Sequence, residues 1–138
     1  MKTLRVLLVE DNQGDVFLVE EALRAHNLQF KLDVVADGVD VNRYIERIGA
    51  IPDAPCPDVF LLDLNLPKGD GHEILNNFRG NPKCSATPVI IITSSDAPKD
   101  RQRAERLGAS AYFRKPSDLA EFMQLGAIIR SVVDHRAQ

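Results

Sequence analysis

Four short segments of the chain each end an apolar run with side chains that could do chemistry. The side chains are Glu10, Asp11, Asp63, Thr93 and Lys115, and the runs before them cover residues 4–9, 59–62, 89–92 and 111–113. Such runs are typical of buried strands in a parallel sheet, whose carboxyl ends share one edge. The sequence therefore predicts one site that gathers three carboxylates, a hydroxyl and an ammonium.

This set of groups is suited to a divalent cation and a phosphoryl group. Neighbouring carboxylates repel by roughly 4 kcal/mol per pair at ~4 Å and an effective dielectric constant of ~20. A cation relieves the repulsion, and Mg²⁺ prefers hard oxygen ligands. With the cation as a shield, the carboxylate of Asp63 can attack phosphorus and form an aspartyl phosphate. Thr93 would then donate to a phosphoryl oxygen, and Lys115 would neutralise its charge.

Each of these residues also has an ordinary structural explanation. Glu10 and Asp11 could stabilise the positive end of a helix dipole. Asp63 could cap the turn after its strand, and Thr93 could simply be the last residue of its strand. The joint occurrence of the residues at the ends of the first, third, fourth and fifth predicted strands favours a site.

The elements that would position these residues alternate between strand and helix, which indicates an α/β fold of five repeated units. The predicted strands cover residues 4–9, 30–36, 58–63, 89–93 and 110–114, and the predicted helices cover 13–26, 39–48, 71–79, 99–107 and 117–135. The second strand alternates poorly, so we expect it at the sheet edge. Gly49 is predicted to cap the second helix. The fourth helix is so polar that its anchoring should be weak.

The last predicted helix carries two apolar stripes. Leu119, Phe122, Ile129 and Val133 form one, and Leu125, Ile128 and Val132 are assigned to nearly the opposite side. One stripe would pack on the sheet. The other is either a set of scattered surface residues or a surface for a partner, including a second copy of the chain in a homodimer.

Length and composition indicate one domain without a membrane or nucleic-acid role. The 138 residues carry a formal net charge of -3, which gives no electrostatic footprint for nucleic acid. No apolar stretch approaches the ~18 residues that cross a bilayer, and no signal leader is recognised, so we expect a cytoplasmic protein. Cys56 and Cys84 are interpreted as reduced thiols without an assigned role.

Four motifs carry a resemblance to a known family. They are Leu-Val-Glu-Asp-Asn, then Leu-Leu-Asp-Leu-Asn-Leu-Pro with Gly69-Asp70-Gly71, then Ile-Thr-Ser-Ser, then Tyr-Phe-Arg-Lys-Pro at residues 112–116. Together they resemble the receiver domain of two-component response regulators over nearly the whole chain. The resemblance implies a flavodoxin-like, doubly wound parallel sheet of five strands in the order 2-1-3-4-5 with five helices. It also implies one receiver domain over residues 1–138, with no output domain.

The resemblance assigns a role to each matching position. Asp63 would be the phosphoacceptor, Asp11 a direct Mg²⁺ ligand, Glu10 a ligand through water, and Asn65 a ligand through its backbone carbonyl. Thr93 and Lys115 would bind the phosphoryl oxygens. Thr93 and Tyr112 would move together as a conformational switch. The Lys115-Pro116 bond is a candidate cis peptide, because it lies in a turn that aims a functional side chain.

The same resemblance implies partners and leaves alternatives to weigh. The phosphoryl donor would be a sensor histidine kinase or a phosphotransfer protein, and a downstream protein would read the signal by binding. The Pro-rich loop before the third strand, the Leu-Asn-Leu-Pro segment and the start of the last helix resemble stand-alone receivers paired with bacterial phytochromes. No enzyme activity is expected beyond the chain's own phosphorylation and dephosphorylation. The alternatives are a Mg²⁺-dependent phosphatase of the haloacid dehalogenase type, which would need an acid where Asn65 stands, and an unphosphorylated pseudo-receiver.

Overall fold

Five parallel strands form one sheet in the order β2-β1-β3-β4-β5. They are β1 (Leu4–Val9), β2 (Phe30–Val35), β3 (Val59–Leu62), β4 (Val89–Thr93) and β5 (Ala111–Arg114). The computed structural model describes residues 3–137, with side chains for residues 3–134. Every neighbouring pair of strands is parallel, and β2 lies at one edge. The flavodoxin-like order and the edge position of β2 are confirmed.

Helices connect the strands on both faces of the sheet. They are α1 (Gln13–Ala25), α2 (Gly38–Ala50), α3 (Gly71–Arg79), α4 (Pro98–Arg106), α5 (Leu119–Met123) and α6 (Leu125–Ala137), with a 3-10 turn at Pro82–Cys84. The pair α5 and α6 corresponds to the predicted fifth helix, interrupted at Gln124, whose backbone stays right-handed helical with φ -63° and ψ -18°. Within residues 3–137, none of these helices is both long enough and apolar enough to cross a lipid bilayer.

Gly49 does not cap α2. The helix runs on to Ala50, and the N–H of Ile51 donates to the carbonyl of Arg47. Because this ordinary hydrogen bond ends the helix, no residue with a left-handed backbone is needed there.

The core consists of two apolar layers, one on each face of the sheet. Alternate side chains of β3 enter opposite layers, with Phe60 and Leu62 packing towards α2 and α3, and Leu61 packing towards α1 and the C-terminal helices. All residues of β3 and β4 are buried. The strands that carry Asp63 and Thr93 are therefore covered on both faces, as expected for the centre of a parallel sheet.

The prediction of two opposite stripes on the last helix is wrong. Phe122, Leu125 and Ile129 are all at most 1% exposed and belong to the same core layer. Their spacing of three and four residues places them on one broad helical face. Leu119, by contrast, is 62% exposed. The buried position of Leu125 removes the argument on which the homodimer rested.

Close approach of two backbones explains why α6 buries this broad face. A Cβ atom added at Gly126 would lie 2.3 Å from the carbonyl oxygen of Ala22 in α1. Only glycine leaves enough room for the helices to meet at this distance. Ile128 and Val132, assigned to the second stripe, are partly buried and pack against the same core layer.

The expectation of two reduced thiols is also wrong for this structure. Cys56 and Cys84 form a disulfide, with their Cα atoms 5.7 Å apart and a sequence separation of 28. The 3-10 turn at Pro82–Cys84 carries the buried Cys84 under the Pro-rich loop that precedes β3. This proximity follows from the packing of two loops, which no local spacing of the cysteines indicates.

The candidate cis peptide at Lys115-Pro116 is not observed, since no cis bond occurs in residues 3–137. The backbone N–H of Lys115 donates to the carbonyl of Thr93 at 2.7 Å. This hydrogen bond already holds Lys115 at the sheet edge, so a trans bond to Pro116 is sufficient.

We expect Leu125→Ala to destabilise the protein by about 2–5 kcal/mol, because the substitution leaves a cavity in the core. Leu119→Ala is the matched control on the exposed part of the same C-terminal region and should cost no more than ~0.5 kcal/mol. Urea denaturation followed by circular dichroism measures both values. Similar losses for the two variants would contradict the assignment of Leu125 to the core.

Candidate functional site

The parallel hydrogen-bond pattern extends one residue beyond the strands and fixes the backbone positions of the predicted site residues. The N–H of Glu10 donates to the carbonyl of Val35 at 3.0 Å, and the N–H of Asp63 donates to that of Val9 at 3.2 Å. Lys115 is held in the same way by Thr93 on the neighbouring strand. The predicted convergence of these residues at one edge of the sheet is therefore confirmed.

Three carboxylates lie close enough together to share one cation. Glu10, Asp11 and Asp63 each offer an oxygen, and these oxygens lie within 4.8 Å of one another. Glu10 and Asp63 are buried at 3% and 5% exposure, whereas Asp11 is open to solvent. An all-oxygen donor set with one open side fits Mg²⁺ or Mn²⁺, which retain water ligands.

The ammonium of Lys115 bonds to three carboxylates at once. Its Nζ lies 2.6 Å from Glu10 Oε1, 2.8 Å from Asp15 Oδ2 and 3.0 Å from Asp63 Oδ2. An ammonium has three N–H donors, so each carboxylate accepts one of them. The lysine thereby offsets part of the repulsion within the acidic cluster.

Asp15 was missed by the sequence analysis. It lies in the first turn of α1, and its N–H donates to the side chain of the N-cap residue Asn12 at 3.0 Å. An acidic residue at this point of a helix is usually explained by the helix dipole. No local spacing in the sequence indicates its contact with Lys115, because that contact joins residues 100 apart and depends on how α1 packs against the sheet.

Burial and charge shift two pKa values in the site. Burial is the main reason why the pKa of Glu10 lies above its ordinary value of 4.5, although hydrogen bonds from Lys115 and Asn12 oppose the shift. For Lys115, burial alone would lower the pKa. Its hydrogen bonds to Asp15, Glu10 and Asp63 outweigh burial and raise the pKa above 10.5. These contacts therefore favour the charged form of Lys115.

Asn65 connects Asp63 with Thr93. Its N–H donates to Asp63 Oδ1 at 3.0 Å, and its side-chain amide donates to Thr93 Oγ1 at 3.4 Å. Thr93 is fully buried. The hydroxyl and the carboxylate are thus held in one network, as predicted, and the amide of Asn65 has no acidic proton to transfer.

Tyr112 reaches this network through Ser95, which the sequence analysis did not single out. The hydroxyl of Tyr112 donates to the carbonyl of Ser95 at 3.2 Å, and the N–H of Ser95 donates to Thr93 Oγ1 at 3.2 Å. Ser95 Oγ also donates to Asp100 Oδ2 in α4 at 2.6 Å. Burial raises the pKa of Tyr112, so its hydroxyl remains a donor at neutral pH.

The loop after Asp63 is held by packing as well as by hydrogen bonds. Leu64 and Leu66 are buried, and the side chain of Asp70 caps α3 by accepting from the N–H of His72. A Cβ atom at Gly71 would lie 2.6 Å from the Cα of Leu64. The segment that carries Asn65 is therefore tightly packed against the start of α3.

Known proteins share this architecture. A sequence model of the family described as response regulator receiver domain matches residues 6–126. Response regulator Rcp1 of Synechocystis sp. is 32% identical over 120 residues, covering 87% of this chain and 82% of Rcp1. The structure of the phosphorylated cyanobacterial phytochrome response regulator RcpA has a TM-score of 0.81 and 30% identity, covering 99% of this chain and 96% of RcpA.

Two solved structures that resemble this chain contain a metal ion. The Mn²⁺-bound form of Rcp1 has a TM-score of 0.80 and 32% identity, covering 93% of this chain and 92% of its own. The receiver domain of sensor histidine kinase PA1611 from Pseudomonas aeruginosa, with magnesium in its active-site cleft, has a TM-score of 0.74 and 28% identity. The match covers 96% of this chain and 99% of that receiver domain.

The raised pKa of Glu10 makes a testable prediction about stability. The folded state binds this proton more tightly than the unfolded state, so the contribution of Glu10 to stability is favourable at low pH and is lost as the pH rises above 4.5. Glu10→Gln removes this titration. The free energy of unfolding of the variant, relative to wild type, should therefore increase between pH 4.5 and neutrality.

Urea denaturation of the metal-free protein in EDTA at a series of pH values measures this difference. Glu46→Gln, on the exposed side of α2, is the matched control for removal of one carboxylate. A difference between Glu10→Gln and wild type that does not change with pH would contradict the raised pKa.

Proposed function

Because this chain belongs to the response regulator receiver domain family, we propose that it is a signalling switch that accepts a phosphoryl group on Asp63. The observation that carries the proposal is that the Asp63 carboxylate contacts the Lys115 ammonium and offers an oxygen within 4.8 Å of oxygens of Glu10 and Asp11. One carboxylate is thereby placed beside a fixed cation and a potential metal site. The comparisons support a receiver over the phosphatase and pseudo-receiver alternatives.

The residues that would hold Mg²⁺ are Asp11 and Asp63 directly, Glu10 through water, and Asn65 through its backbone carbonyl. The metal-bound structures of Rcp1 and the PA1611 receiver support a divalent cation in this chain, and the residue roles follow from the family resemblance. When bound, the cation shields the approach of an anionic donor to a carboxylate. The excess of carboxylates over the single ammonium explains why this chain would need such a cation.

Phosphoryl transfer requires one bond to form and one to break. An oxygen of Asp63 attacks phosphorus, the bond between phosphorus and the donor breaks, and the donor leaves with that electron pair. Lys115, whose Nζ is 3.0 Å from Asp63 Oδ2, would neutralise charge on the transferred group. The hydroxyl of Thr93 would donate to one of its oxygens.

The switch would work through Ser95. A Thr93 hydroxyl that turns towards the phosphoryl group gives up its present contacts with Asn65 and Ser95. Ser95 is also bonded to Tyr112 in β5 and Asp100 in α4. Because α4 buries only Ala104, the apolar contacts that oppose its displacement are few. A partner that reads the α4 and β5 surface would then distinguish the two states.

The alternatives have specific weaknesses. A haloacid dehalogenase-type phosphatase would need a general acid two residues after the nucleophile, and Asn65 occupies that position. A pseudo-receiver would be expected to lack members of the cluster. All of them are present in this chain, and the structure brings Glu10, Asp11, Asp63 and Lys115 together.

The proposed phosphoryl donor is a histidine kinase, or a phosphotransfer protein loaded by one. The likeness to a phytochrome response regulator favours a kinase of the phytochrome type. Residues 1–138 would form one receiver domain, and this domain would act in the cytoplasm. A Cys56–Cys84 disulfide would be unusual in that compartment. The homodimer stays a prediction, without the second apolar stripe that suggested it.

We expect incubation with acetyl phosphate and Mg²⁺ to add one acid-labile phosphoryl group to the wild-type chain, and none to Asp63→Asn, because the amide is not a nucleophile. Intact-mass spectrometry at low temperature measures the adduct. Asp53→Asn, on the exposed loop before β3, is the matched control and should label like wild type. Labelling of Asp63→Asn would place the nucleophile elsewhere.

We also expect a purified, autophosphorylated histidine kinase of the phytochrome type to transfer its phosphoryl group to this chain within minutes. Loss of radiolabel from the kinase and its gain by the chain measure the transfer. A histidine kinase without a photosensory module is the control. Equal or faster transfer from that control would argue against the phytochrome partner, while leaving Asp63 as acceptor.

A further inference from the structure

Among the three carboxylates bonded to Lys115, Asp15 alone lies outside the acidic cluster. Glu10 and Asp63 contribute oxygens both to Lys115 and to the group that could hold a cation. Asp15 bonds to Lys115 at 2.8 Å, and it is not part of that group. Nothing in the proposed chemistry so far uses Asp15.

We propose that Asp15 is a positioning residue, which holds the Lys115 ammonium beside Asp63 during phosphoryl transfer. The inference rests on the proposed function and adds to it the residue that orients the Lys115 ammonium. Asp15 acts through Lys115 and needs no contact with the phosphoryl group.

The argument begins with the number of hydrogen-bond donors. All three N–H groups of Lys115 are used, one for each carboxylate. During transfer, the N–H that now donates to Asp63 would donate to a phosphoryl oxygen instead, and its proton would stay on the nitrogen. Glu10 belongs to the cation-binding group, so its charge is shared. Asp15 is then the one carboxylate whose hydrogen bond to the ammonium is unchanged.

Asp15 is well placed to provide this hold. The first turn of α1 fixes its backbone, since its N–H donates to Asn12 Oδ1 at 3.0 Å, and the N–H of Asn12 donates in turn to Glu10 Oε2 at 3.2 Å. The positive end of α1 stabilises the negative charge of Asp15. Its side chain is 25% exposed, against 2% for Glu10, so the charge is only partly desolvated.

The hold matters because lysine is long and flexible. An ammonium without partners at the end of a four-carbon chain occupies many positions, and ordering it costs conformational entropy. An ammonium that is already held in place loses little further entropy when the phosphoryl group arrives. Competition between Asp15 and the phosphoryl group is not required, because Asp15 accepts only one of the three hydrogens.

The test compares Asp15→Asn with wild type in phosphorylation by acetyl phosphate with Mg²⁺. We expect the maximal rate to fall about tenfold, because a neutral amide oxygen accepts a weaker hydrogen bond from the ammonium than a carboxylate does. The acetyl phosphate concentration for half-maximal rate should change little. Glu20→Gln is the matched control, since it removes one carboxylate from the same helix and Glu20 pairs with Arg24. Asp15→Glu, which keeps the charge, should recover most of the rate.

A double-variant experiment shows whether Asp15 acts through Lys115. In a Lys115→Met background, Asp15→Asn should cause no further loss of rate, because the ammonium that it positions is absent. An equal loss in both backgrounds would overturn the proposal. So would Asp15→Asn labelling as fast as Glu20→Gln.

A second measurement does not depend on phosphorylation. In metal-free protein, the side-chain ammonium of Lys115 should give an observable NMR correlation, because its three hydrogen bonds slow exchange with water; Lys115→Met assigns the signal. The signal should persist in Glu20→Gln and disappear in Asp15→Ala, which removes the acceptor of one of the three hydrogen bonds. Persistence in Asp15→Ala would overturn the proposal. Absence of labelling in wild type, or labelling of Asp63→Asn, would instead refute the proposed function.

Discussion

The contact between one ammonium and three carboxylates is the interaction on which the rest of the site depends. Parallel strands deliver Glu10 and Asp63 to the same edge of the sheet, where they repel each other at short range. Lys115 bonds to both, and to Asp15. The ammonium offsets part of this repulsion, and the remaining negative charge still favours a bound cation.

This arrangement requires a rigid support, which the two core layers provide. Because β3 and β4 are buried on both faces, their ends cannot shift without disturbing the packing of the whole domain. The backbone hydrogen bonds that continue beyond the strands fix the positions of Glu10, Asp63 and Lys115 relative to this rigid core. The helix α4, by contrast, buries only Ala104, so few apolar contacts hold it to this support.

Sequence reasoning worked best where one local rule decides the structure. The boundaries of β1, α3 and β4 were predicted to the residue, because long apolar runs and strong helix starts have few alternatives. It failed where tertiary packing selects one of several arrangements that the local sequence allows equally well. The stripe containing Leu125 was assigned to the wrong side of its helix, although its spacing from Phe122 and Ile129 was available in the sequence. The Cys56–Cys84 pair joins two loops whose approach no periodicity encodes.

The sequence by itself determined which chemical groups stand at the strand ends, and therefore that Glu10, Asp11, Asp63, Thr93 and Lys115 meet at one edge. Apolar runs specify strands, and parallel strands align their carboxyl ends, so this part follows from local physics. Only the tertiary structure decided that Asp15 completes the environment of Lys115 and that Ser95 links Thr93 to Tyr112. Both contacts depend on where a helix or loop comes to rest against the sheet, which is decided by the packing of side chains distant in sequence.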